Sequence, residues 1–180
     1  MVFKKTRVRL LFVSADSPAP AMGLPLDMKL FDLKIPPPIV GGVIGALMWA
    51  IAPVGPTLGL SVEWADSLAL ALVLAGFGID LYCAVWFVRA KTTVNPLNPN
   101  NSSALVTGGA YRLSRNPMYV GQALVVLGWA VFLNSAWGLL GPVAFVLYLN
   151  RFQIGPEERI LKEKFGEEFD AYARRVRRWL

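Results

Sequence analysis

The fold of this chain is decided by a stretch of 34 residues without a charge, residues 117–150, which reads PMYVGQALVVLGWAVFLNSAWGLLGPVAFVLYLN. A helix of about twenty apolar residues crosses a bilayer, so the stretch is too long for one crossing and slightly short for two. A hairpin whose turn uses Asn134, Ser135 and Gly138 resolves this conflict. Arg115 and Arg151 can lengthen its two helices, because their charged ends reach the membrane interface. The stretch therefore predicts the third and fourth transmembrane helices.

Two earlier runs predict the first and second transmembrane helices. Residues 35–54 carry no charge, and residues 69–88 are interrupted only by Asp80. At about 1.5 Å per residue, a helix of either length spans roughly the 30 Å hydrocarbon core. The composition agrees, since 55% hydrophobic residues and a mean hydropathy of +0.48 are too apolar for an ordinary soluble domain. We therefore predict an all-α, polytopic membrane helix bundle of about four transmembrane helices in a domain at 35–154.

The basic residues predict which side of the membrane each loop faces. They flank the apolar runs at what would be one membrane surface, and they are Lys29, Lys34, Arg89, Lys91, Arg112, Arg115 and Arg151. The connection between the first two runs carries only the acidic Glu63 and Asp66, and the hairpin turn carries no charge. The positive-inside rule then places both termini and the loop at 89–116 in the cytoplasm. Because the net charge of +6 is explained in this way, no nucleic-acid partner is expected.

Residues 1–34 are predicted to form an N-terminal extension without stable structure. A secretory signal peptide is the alternative, but the apolar run after Arg9 is shorter than the apolar region of such a peptide. A run of turn-forming residues follows it at 14–20. We therefore expect the functional chain to begin at Met28, near the end of this segment.

Residues 155–180 are predicted to form an amphipathic helix on the cytoplasmic side. Glu157 and Glu158 follow a Gly-Pro pair at its start, and arginines end it, which complements the helix dipole. Apolar residues recur along it at helical spacing, namely Leu161, Phe165, Phe169, Tyr172, Val176 and Trp179. We expect a bend at Gly166 and an apolar face that lies on the membrane or caps the bundle.

The residue types that are missing exclude several kinds of chemistry. There is no histidine, and Cys83 is the only cysteine. The chain therefore lacks the commonest general base, the commonest metal ligand and any Cys-rich metal site, and we expect no bound metal. A reaction that mainly requires two substrates held in line stays compatible, because positioning alone can lower a barrier by roughly 7–11 kcal/mol. Methyl transfer is such a reaction.

A polar segment at residues 92–121 is the first candidate for a functional site. Within it, residues 107–112 read TGGAYR and residues 115–121 read RNPMYVG, which together supply glycine backbones, two guanidinium groups and two phenols. Such groups can bind a phosphate, a carboxylate or a nucleoside. The same residues are also explained as inside-facing arginines followed by a helix that begins near Pro117. The pattern alone leaves both interpretations open.

Three acidic residues are open to two interpretations as well. Glu157 and Glu158 complement the dipole of a helix start, but they also emerge at the membrane face that carries Arg115. A carboxylate in that place can pair with an arginine or accept hydrogen bonds from a ribose. Asp80 lies within a span, where an acidic residue indicates either a functional site or a polar partner in the bundle.

The loop and the C-terminal segment together resemble the isoprenylcysteine carboxyl methyltransferase and phospholipid methyltransferase superfamily of integral membrane enzymes. The resemblance covers roughly residues 35–180 and includes TTVNP at 92–96, GAYR at 109–112 and RNPMYVG at 115–121. A hydrophobic hairpin, Glu157 and Glu158, and the helix from Phe165 to Val176 follow in the same order. The arginine-proline-tyrosine-glycine pattern alone is weak, but the hairpin and the paired glutamates make it specific.

The resemblance implies an S-adenosylmethionine-dependent methyltransferase with its cofactor pocket on the cytoplasmic side. It implies catalytic roles for Arg115 and Glu158, and methyl transfer by direct in-line displacement to a hydrophobic or lipid-linked acceptor. It implies cofactor contacts for a larger set of residues, which are Gly109, Tyr111, Arg112, Arg115, Asn116, Pro117, Tyr119, Gly121, Glu157 and Glu158. Many isoprenylcysteine methyltransferases have a histidine at the position of Asn116, so no acid or base role transfers to that side chain.

Two other classes of function compete with the methyltransferase. A membrane reductase with the architecture of sterol reductases would bind a nicotinamide nucleotide and ignore S-adenosylmethionine. A small noncatalytic membrane protein would tolerate replacement of Arg115, Tyr119 and Glu158 together. The acceptor is also open, since nothing in the sequence separates a carboxylate from an amine or another hydrophobic acceptor.

Overall fold

The computed structural model describes residues 32–89 and 105–180, and this part of the chain is helical without a β-strand. Its α-helices are α1 (Pro37–Ile51), α2 (Val62–Arg89), α3 (Pro117–Phe132), α4 (Leu140–Tyr148), α5 (Gly155–Phe165) and α6 (Glu167–Arg175). The predicted all-α class is confirmed for these residues. Most of the predicted extension at 1–34, and the family motif at 92–96, lie outside the described residues.

The first two predicted spans are present as long apolar helices. Within the described residues, Pro37–Val54 and Val62–Arg89 are the two helical stretches with the length and composition to cross a membrane. Only 17% of the most apolar window of each is buried, and Leu47, Leu74 and Phe77 are each more than half exposed. Water does not favour so much contiguous apolar surface, whereas lipid solvates it. These two helices therefore have the surface of a membrane protein.

α2 begins earlier than the apolar run at 69–88, so Glu63 and Asp66 lie on the helix instead of in a loop. Ser61 accounts for the earlier start. Its hydroxyl accepts a hydrogen bond from the backbone N–H of Trp64 at 3.4 Å, as a serine at a helix start commonly does. An early glutamate also complements the helix dipole. Hydropathy alone does not detect either effect.

The predicted hairpin is present, but its helices are short. The chain turns after α3 at Asn134, which has a φ of 47°, in the left-handed region that asparagine adopts more readily than most residues. α3 has 16 residues and α4 has nine, and both are shorter than the 18-residue stretch at Pro37–Val54. The presence of four transmembrane helices therefore stays a prediction.

α4 continues into α5 without a break at Pro156, although the sequence predicts that a separate helix starts at this Gly-Pro pair. The residues between them, Leu149–Ile154, form a π-helical turn in which the N–H of Gly155 bonds to the carbonyl five residues earlier. Because proline has no N–H, the α-helical pattern would leave the carbonyl of Phe152 without a donor from Pro156. The N–H of Leu33 donates to this carbonyl at 3.0 Å. The π-helical turn therefore carries the helix past the proline.

The C-terminal segment contains two helices instead of one bent helix. Gly166 separates α5 from α6 with a φ of 51° and a ψ of −122°, a conformation that residues with a side chain rarely adopt. α6 ends before Val176, which is extended. The prediction that Val176 and Trp179 continue the helical face is therefore wrong. The tail at 176–180 is held instead by hydrogen bonds to the loop before α3.

α3 is the central helix of the bundle. It packs against α1 and α4 on one side and against α2 on the other. The buried apolar cluster lies between α1, α3 and α4 and contains Val40, Met48, Tyr119, Val126, Ala130, Phe145, Leu149 and Ile154. The start of α3 therefore has a fixed position, and the polar residues that precede it are held against the C-terminal helices.

α2 and α3 cross with their backbones in direct contact. A Cβ atom at Gly76 would lie 2.5 Å from the carbonyl oxygen of Gly121, and a Cβ atom at Gly121 would lie 2.7 Å from the carbonyl oxygen of Gly76. A Cβ atom at Gly128 would lie 3.0 Å from the carbonyl oxygen of Ala69. Small residues at a helix crossing allow such close approach in membrane proteins. Gly121 therefore has a packing role on the α2 side of α3.

The close crossing predicts a strong effect of one added methyl group. Gly76→Ala is expected to destabilise the protein by about 1–3 kcal/mol, because the methyl group meets the backbone of α3. Gly78→Ala is the matched control on α2, since nothing lies within 4 Å of the Cβ position at Gly78. Thermal unfolding in detergent measures both. Equal melting temperatures for the two variants would contradict this crossing.

Candidate functional site

Arg115 joins the start of α3 to both C-terminal helices. Its guanidinium group donates to Oε1 of Glu158 from Nε at 3.1 Å and from Nη2 at 2.7 Å. Nη1 donates to the carbonyls of Ala173 at 3.0 Å and of Val176 at 2.7 Å. The backbone N–H of Arg115 donates to the carbonyl of Arg177 at 2.8 Å. The planar fork of an arginine suits this many acceptors, which a lysine would not reach together.

Glu158 is bound by two arginines. Its Oε1 faces Arg115, and its Oε2 accepts a hydrogen bond from Nη2 of Arg178. The side chains of Arg115 and Glu158 are 14% and 17% exposed, so water screens their attraction only weakly. Pairing with an arginine was one of the two roles that the sequence left open for this carboxylate. Both of its oxygens are engaged in that role.

Glu157 forms a second polar cluster with Tyr119 and Gln153. The hydroxyl of Tyr119 donates to Oε1 of Glu157 at 2.6 Å, and Nε2 of Gln153 donates to the same oxygen at 2.5 Å. Burial raises the pKa of Glu157 to about 7, against the lowering effect of these two hydrogen bonds, and the charge of Glu158 raises it further. A carboxyl group that titrates near neutral pH can hold or release a proton there.

The turn at Gly109–Arg112 packs against the end of α2. Gly109 has a φ of 59°, and a Cβ atom there would lie 2.4 Å from Nε1 of Trp86. Tyr111 is buried, and burial raises the pKa of its phenol well above the ordinary value. The hydroxyl of Tyr172 donates to the carbonyl of Tyr111 at 2.7 Å, and burial raises the pKa of Tyr172 to about 12. These phenols therefore stay neutral at physiological pH.

Asn116 closes the contact between this loop and the tail. Its Nδ2 donates to the carbonyl of Arg178 at 2.9 Å, and its backbone N–H donates to the hydroxyl of Ser114 at 3.0 Å. The same hydroxyl donates to the carbonyl of Arg178 at 3.3 Å. Pro117 is buried at the first turn of α3, where its missing N–H is tolerated. The side chain of Asn116 therefore positions the tail and has no visible acid or base role.

Residues far apart in the sequence meet at the junction of α3 and α5. Arg115 and Glu158 are separated by 43 positions, and Tyr119 and Glu157 by 38. The phospholipid methyltransferase family matches residues 64–168, which is more than half of the chain and includes both pairs. The chain belongs to this family. The family resemblance of its loop and C-terminal segment is therefore confirmed.

Several curated proteins resemble this phospholipid methyltransferase family member. An uncharacterized protein of Haemophilus influenzae is 43% identical over 63 residues, which is 35% of this chain and 100% of that protein. A probable protein-S-isoprenylcysteine O-methyltransferase of Oryza sativa subsp. indica is 36% identical over 110 residues, or 59% of this chain and 56% of the relative. Protein-S-isoprenylcysteine O-methyltransferase A of Arabidopsis thaliana is 30% identical over 116 residues, or 63% and 57%.

The chain spans little more than half the length of these plant relatives. No solved structure matches it significantly. The comparisons therefore establish the family of this chain, while its activity is inferred from the geometry of the site together with the family.

The structure of this family member joins some of the predicted site residues and separates others. Those linked by hydrogen bonds at the junction of α3 and α5, or to the tail, are Arg115, Asn116, Tyr119, Glu157 and Glu158. Gly109 and Gly121 make close packing contacts with α2, while Tyr111 and Pro117 are buried. Arg112 is exposed at the end of its turn.

Two residues of the site, Gln153 and Arg178, were not predicted from the sequence. Gln153 lies four positions before Glu157, a spacing that brings side chains together on a helix and could have indicated the pair. Arg178 lies in an arginine-rich tail whose pattern is typical of the end of a helix. Nothing in the sequence indicates that this arginine, and not one of its neighbours, pairs with Glu158. Only the extended tail brings it to Glu158.

The raised pKa of Glu157 predicts a pH dependence of stability. Since its pKa is 4.5 in an unfolded chain and about 7 in the fold, the unfolded state loses this proton first as the pH rises. The protonated carboxyl group therefore contributes fully to the free energy of unfolding below about pH 4.5. As the pH rises to about 7, this contribution is lost, and the free energy of unfolding falls by an amount on the order of 2–3 kcal/mol. Glu157→Gln should remove this dependence.

The measurement compares thermal unfolding of wild type and Glu157→Gln in detergent across this pH range. Glu163→Gln, which changes an exposed glutamate on α5, is the control and should follow wild type at every pH. The stability of wild type relative to Glu157→Gln should fall with rising pH. Parallel curves for wild type and Glu157→Gln would show that this carboxyl group titrates at its ordinary pKa.

Proposed function

We propose that this chain is an integral membrane, S-adenosylmethionine-dependent methyltransferase of the isoprenylcysteine carboxyl methyltransferase type. The observation that carries the proposal is the direct contact between the Arg115–Gly121 motif and the Glu157–Glu158 pair. These two parts of the family pattern lie on either side of the hairpin, and the fold brings them to one end of the bundle. This contact between two parts of the family pattern supports a single site at that end of the bundle.

The donor set at this end of the bundle fits S-adenosylmethionine. The cofactor carries a carboxylate, an ammonium group, ribose hydroxyls and a cationic sulfonium, and it needs both acidic and basic partners. The exposed Arg112 offers a guanidinium group for a carboxylate, and Glu157 offers a carboxyl group for hydroxyl or ammonium donors.

The residues of the chain hold this site together in the proposed mechanism. Arg115 and Glu158, the predicted catalytic pair, satisfy each other and act by fixing the loop against α5 and the tail. Tyr119 and Gln153 hold the carboxyl group of Glu157. When bound, S-adenosylmethionine would supply a methyl group on sulfur for direct in-line displacement by the acceptor. No side chain then needs to form a covalent intermediate.

The proposed acceptor is a hydrophobic or lipid-linked molecule that enters from the membrane. The exposed apolar surfaces of α1 and α2 would contact membrane lipid, and the plant relatives are named for methylation of an isoprenylated cysteine. We propose the topology that the basic residues predict, with four membrane-crossing helices and with both termini and the site in the cytoplasm. This orientation puts the junction of α3 and α5 at the inner membrane surface.

Calorimetric titration of S-adenosylmethionine into detergent-purified protein tests the proposal. We expect saturable binding that Glu157→Ala weakens at least about tenfold, equivalent to about 1.4 kcal/mol. Glu163→Ala is the matched control, because it removes an exposed carboxylate from the same helix. Each variant is first shown to unfold cooperatively, so that lost binding is not lost folding.

The outcomes separate the three classes of function. Binding that needs Glu157 and not Glu163 supports the methyltransferase, and labelled methyl transfer into a membrane lipid extract would then find the acceptor. Binding of a nicotinamide nucleotide without binding of S-adenosylmethionine would overturn the proposal in favour of a reductase. Binding of neither nucleotide by folded protein in lipid would overturn it in favour of a noncatalytic protein.

A further inference from the structure

The segment just before α1 contacts the π-helical turn and α5. Oδ1 of Asp32 accepts a hydrogen bond from Nη1 of Arg151 at 3.4 Å, and Oδ2 accepts one from Nη2 of Arg159 at 2.7 Å. The backbone N–H of Leu33 donates to the carbonyl of Phe152 at 3.0 Å. We call these two residues the Asp32–Leu33 strap. The strap therefore joins the segment before α1 to the C-terminal part of the chain.

The contacts of the strap lie on both sides of the residues that hold Glu157. Arg151 and Phe152 are the two residues before Gln153, and Arg159 follows Glu157 by two positions. Nε2 of Gln153 donates to Oε1 of Glu157, the carboxyl group that the proposed site offers to the cofactor. One strap therefore binds the polypeptide both before and after this pair.

The helix between these contacts has an unusual register. Leu149–Ile154 form a π-helical turn, which is rare and holds one residue more than the turn of an α-helix. If this turn relaxed to the α-helical pattern, every later side chain would rotate about the helix axis by about 100°, the angle of one residue. Glu157 would then leave Tyr119, and Glu158 would leave Arg115. Contacts from outside the helix are therefore needed to keep the π-helical register.

The strap is held firmly against this turn. The side chain of Asp32 is only 13% exposed, although its partners Arg151 and Arg159 are 45% and 59% exposed. A carboxylate so shielded from water is stable only when it stays paired. Leu33 has a φ of 57°, a left-handed conformation that a residue with a side chain adopts where its surroundings impose it. Both the charge of Asp32 and the backbone of Leu33 therefore bind the strap to the π-helical turn and α5.

We infer that Asp32 is a positioning residue of the proposed S-adenosylmethionine site. Through Arg151 and Arg159 it fixes the helical register in which Gln153 and Glu157 meet. The inference rests on the proposed function, because Glu157 is the carboxyl group proposed to contact the cofactor. Asp32 acts through the two arginines and not by contact with the cofactor.

Hydrogen–deuterium exchange of the full chain in detergent measures whether the strap holds this register. Asp32→Asn removes the charge, and the backbone amides at 153–158 should then exchange about threefold to tenfold faster, as two weakened ion pairs allow. The amides of α6 and the melting temperature should stay close to those of wild type, because Arg151 and Arg159 are well exposed. Asp170→Asn is the matched control. It removes an ion pair of 3.1 Å between α5 and α6 and should leave exchange at 153–158 unchanged.

Calorimetric titration of S-adenosylmethionine separates positioning from general stability. Asp32→Asn should weaken binding by the same factor of about three to ten, whereas Asp170→Asn should bind like wild type. Asp32→Glu keeps the carboxylate, and the long stems of the two exposed arginines can accommodate one more methylene group. This variant should therefore recover both the slow exchange at 153–158 and the affinity of wild type.

The outcomes distinguish failure of this inference from failure of the proposed function. Unchanged exchange at 153–158 in Asp32→Asn, or faster exchange in every helix together with a lower melting temperature, would overturn the positioning role. Wild-type affinity in Asp32→Asn, or no recovery in Asp32→Glu, would also refute it and keep the methyltransferase. If folded wild type did not bind S-adenosylmethionine, the methyltransferase and the cofactor role of Asp32 would both be refuted. Faster exchange confined to 153–158 would then still show that the strap sets the register.

Discussion

Arg115→Ala is expected to destabilise this protein by about 3–5 kcal/mol, the usual cost of removing one partner of a buried ion pair. The substitution leaves the carboxylate of Glu158 with Arg178 alone and leaves the carbonyls of Ala173 and Val176 without their donor. The loop before α3 then loses the side-chain hydrogen bonds of Arg115 to α6 and the tail, and the bond from Tyr172 to the carbonyl of Tyr111 remains. Thermal unfolding in detergent measures the loss, and methyl transfer, if present in wild type, should fall below detection.

Two further variants show whether the effect comes from the fork of Arg115 or from its charge. Arg115→Lys keeps the charge, but an ammonium group cannot reach Glu158 and two carbonyls together, so it should recover only a small part of the stability. Arg112→Ala removes an exposed arginine three positions earlier and should change stability by less than about 0.5 kcal/mol. Full recovery by lysine would show that charge alone holds the loop.

The sequence predicts those parts of the fold that follow from hydropathy and local turn chemistry. The length of the uncharged run at 117–150 requires a hairpin, and Asn134 is where the chain turns. The order of charges around the apolar runs placed Arg115 and Glu158 at one face, where the structure pairs them. These features depend on short-range patterns and on the length of each apolar run, which can be compared with the known thickness of a bilayer.

Features that depend on contacts between distant residues could not be predicted in the same way. A bend was predicted at Gly166, but the chain makes a full break there, and the carbonyls of Ala173 on α6 and of Val176 just after it accept hydrogen bonds from Arg115. The break expected at Pro156 is absent because a π-helical turn and Leu33 accommodate it. Helical periodicity contains no information about either arrangement.

Asp80 and Gln122, which line a cavity between α1 and α2, show a similar limit. Asp80 stands out in the sequence as a charge within an apolar run, so its importance could be predicted. Its surroundings could not, because Gln122 lies on a different helix and reads as one polar residue in an apolar hairpin. The crossing of α2 and α3 at Gly76 and Gly121 brings these two helices together. That Oδ1 of Asp80 and Oε1 of Gln122 are buried without a hydrogen-bond donor in the described part of the chain is visible only in three dimensions.

Removal of residues 176–180 is expected to be as damaging as the loss of Arg115, although all five residues lie beyond the last helix. The tail accepts hydrogen bonds from the backbone and side chain of Arg115, from Ser114 and from Asn116. Trp179 donates to Asn150 at 3.0 Å and packs against the buried apolar cluster. At about 0.5–1.5 kcal/mol for each hydrogen bond, the deletion should destabilise the protein by several kcal/mol.

Removal of Leu180 alone is the control for this deletion, because its side chain is 73% exposed. It should leave the melting temperature in detergent unchanged, since the contacts of Trp179 and Arg178 remain. The single substitution Arg178→Gln should give an intermediate loss, because it removes the ion pair to Glu158 and keeps the backbone acceptors. If the deletion of 176–180 melted like wild type, the tail would not hold the loop before α3, and Glu158 and the carbonyl of Ala173 would be enough to fix Arg115.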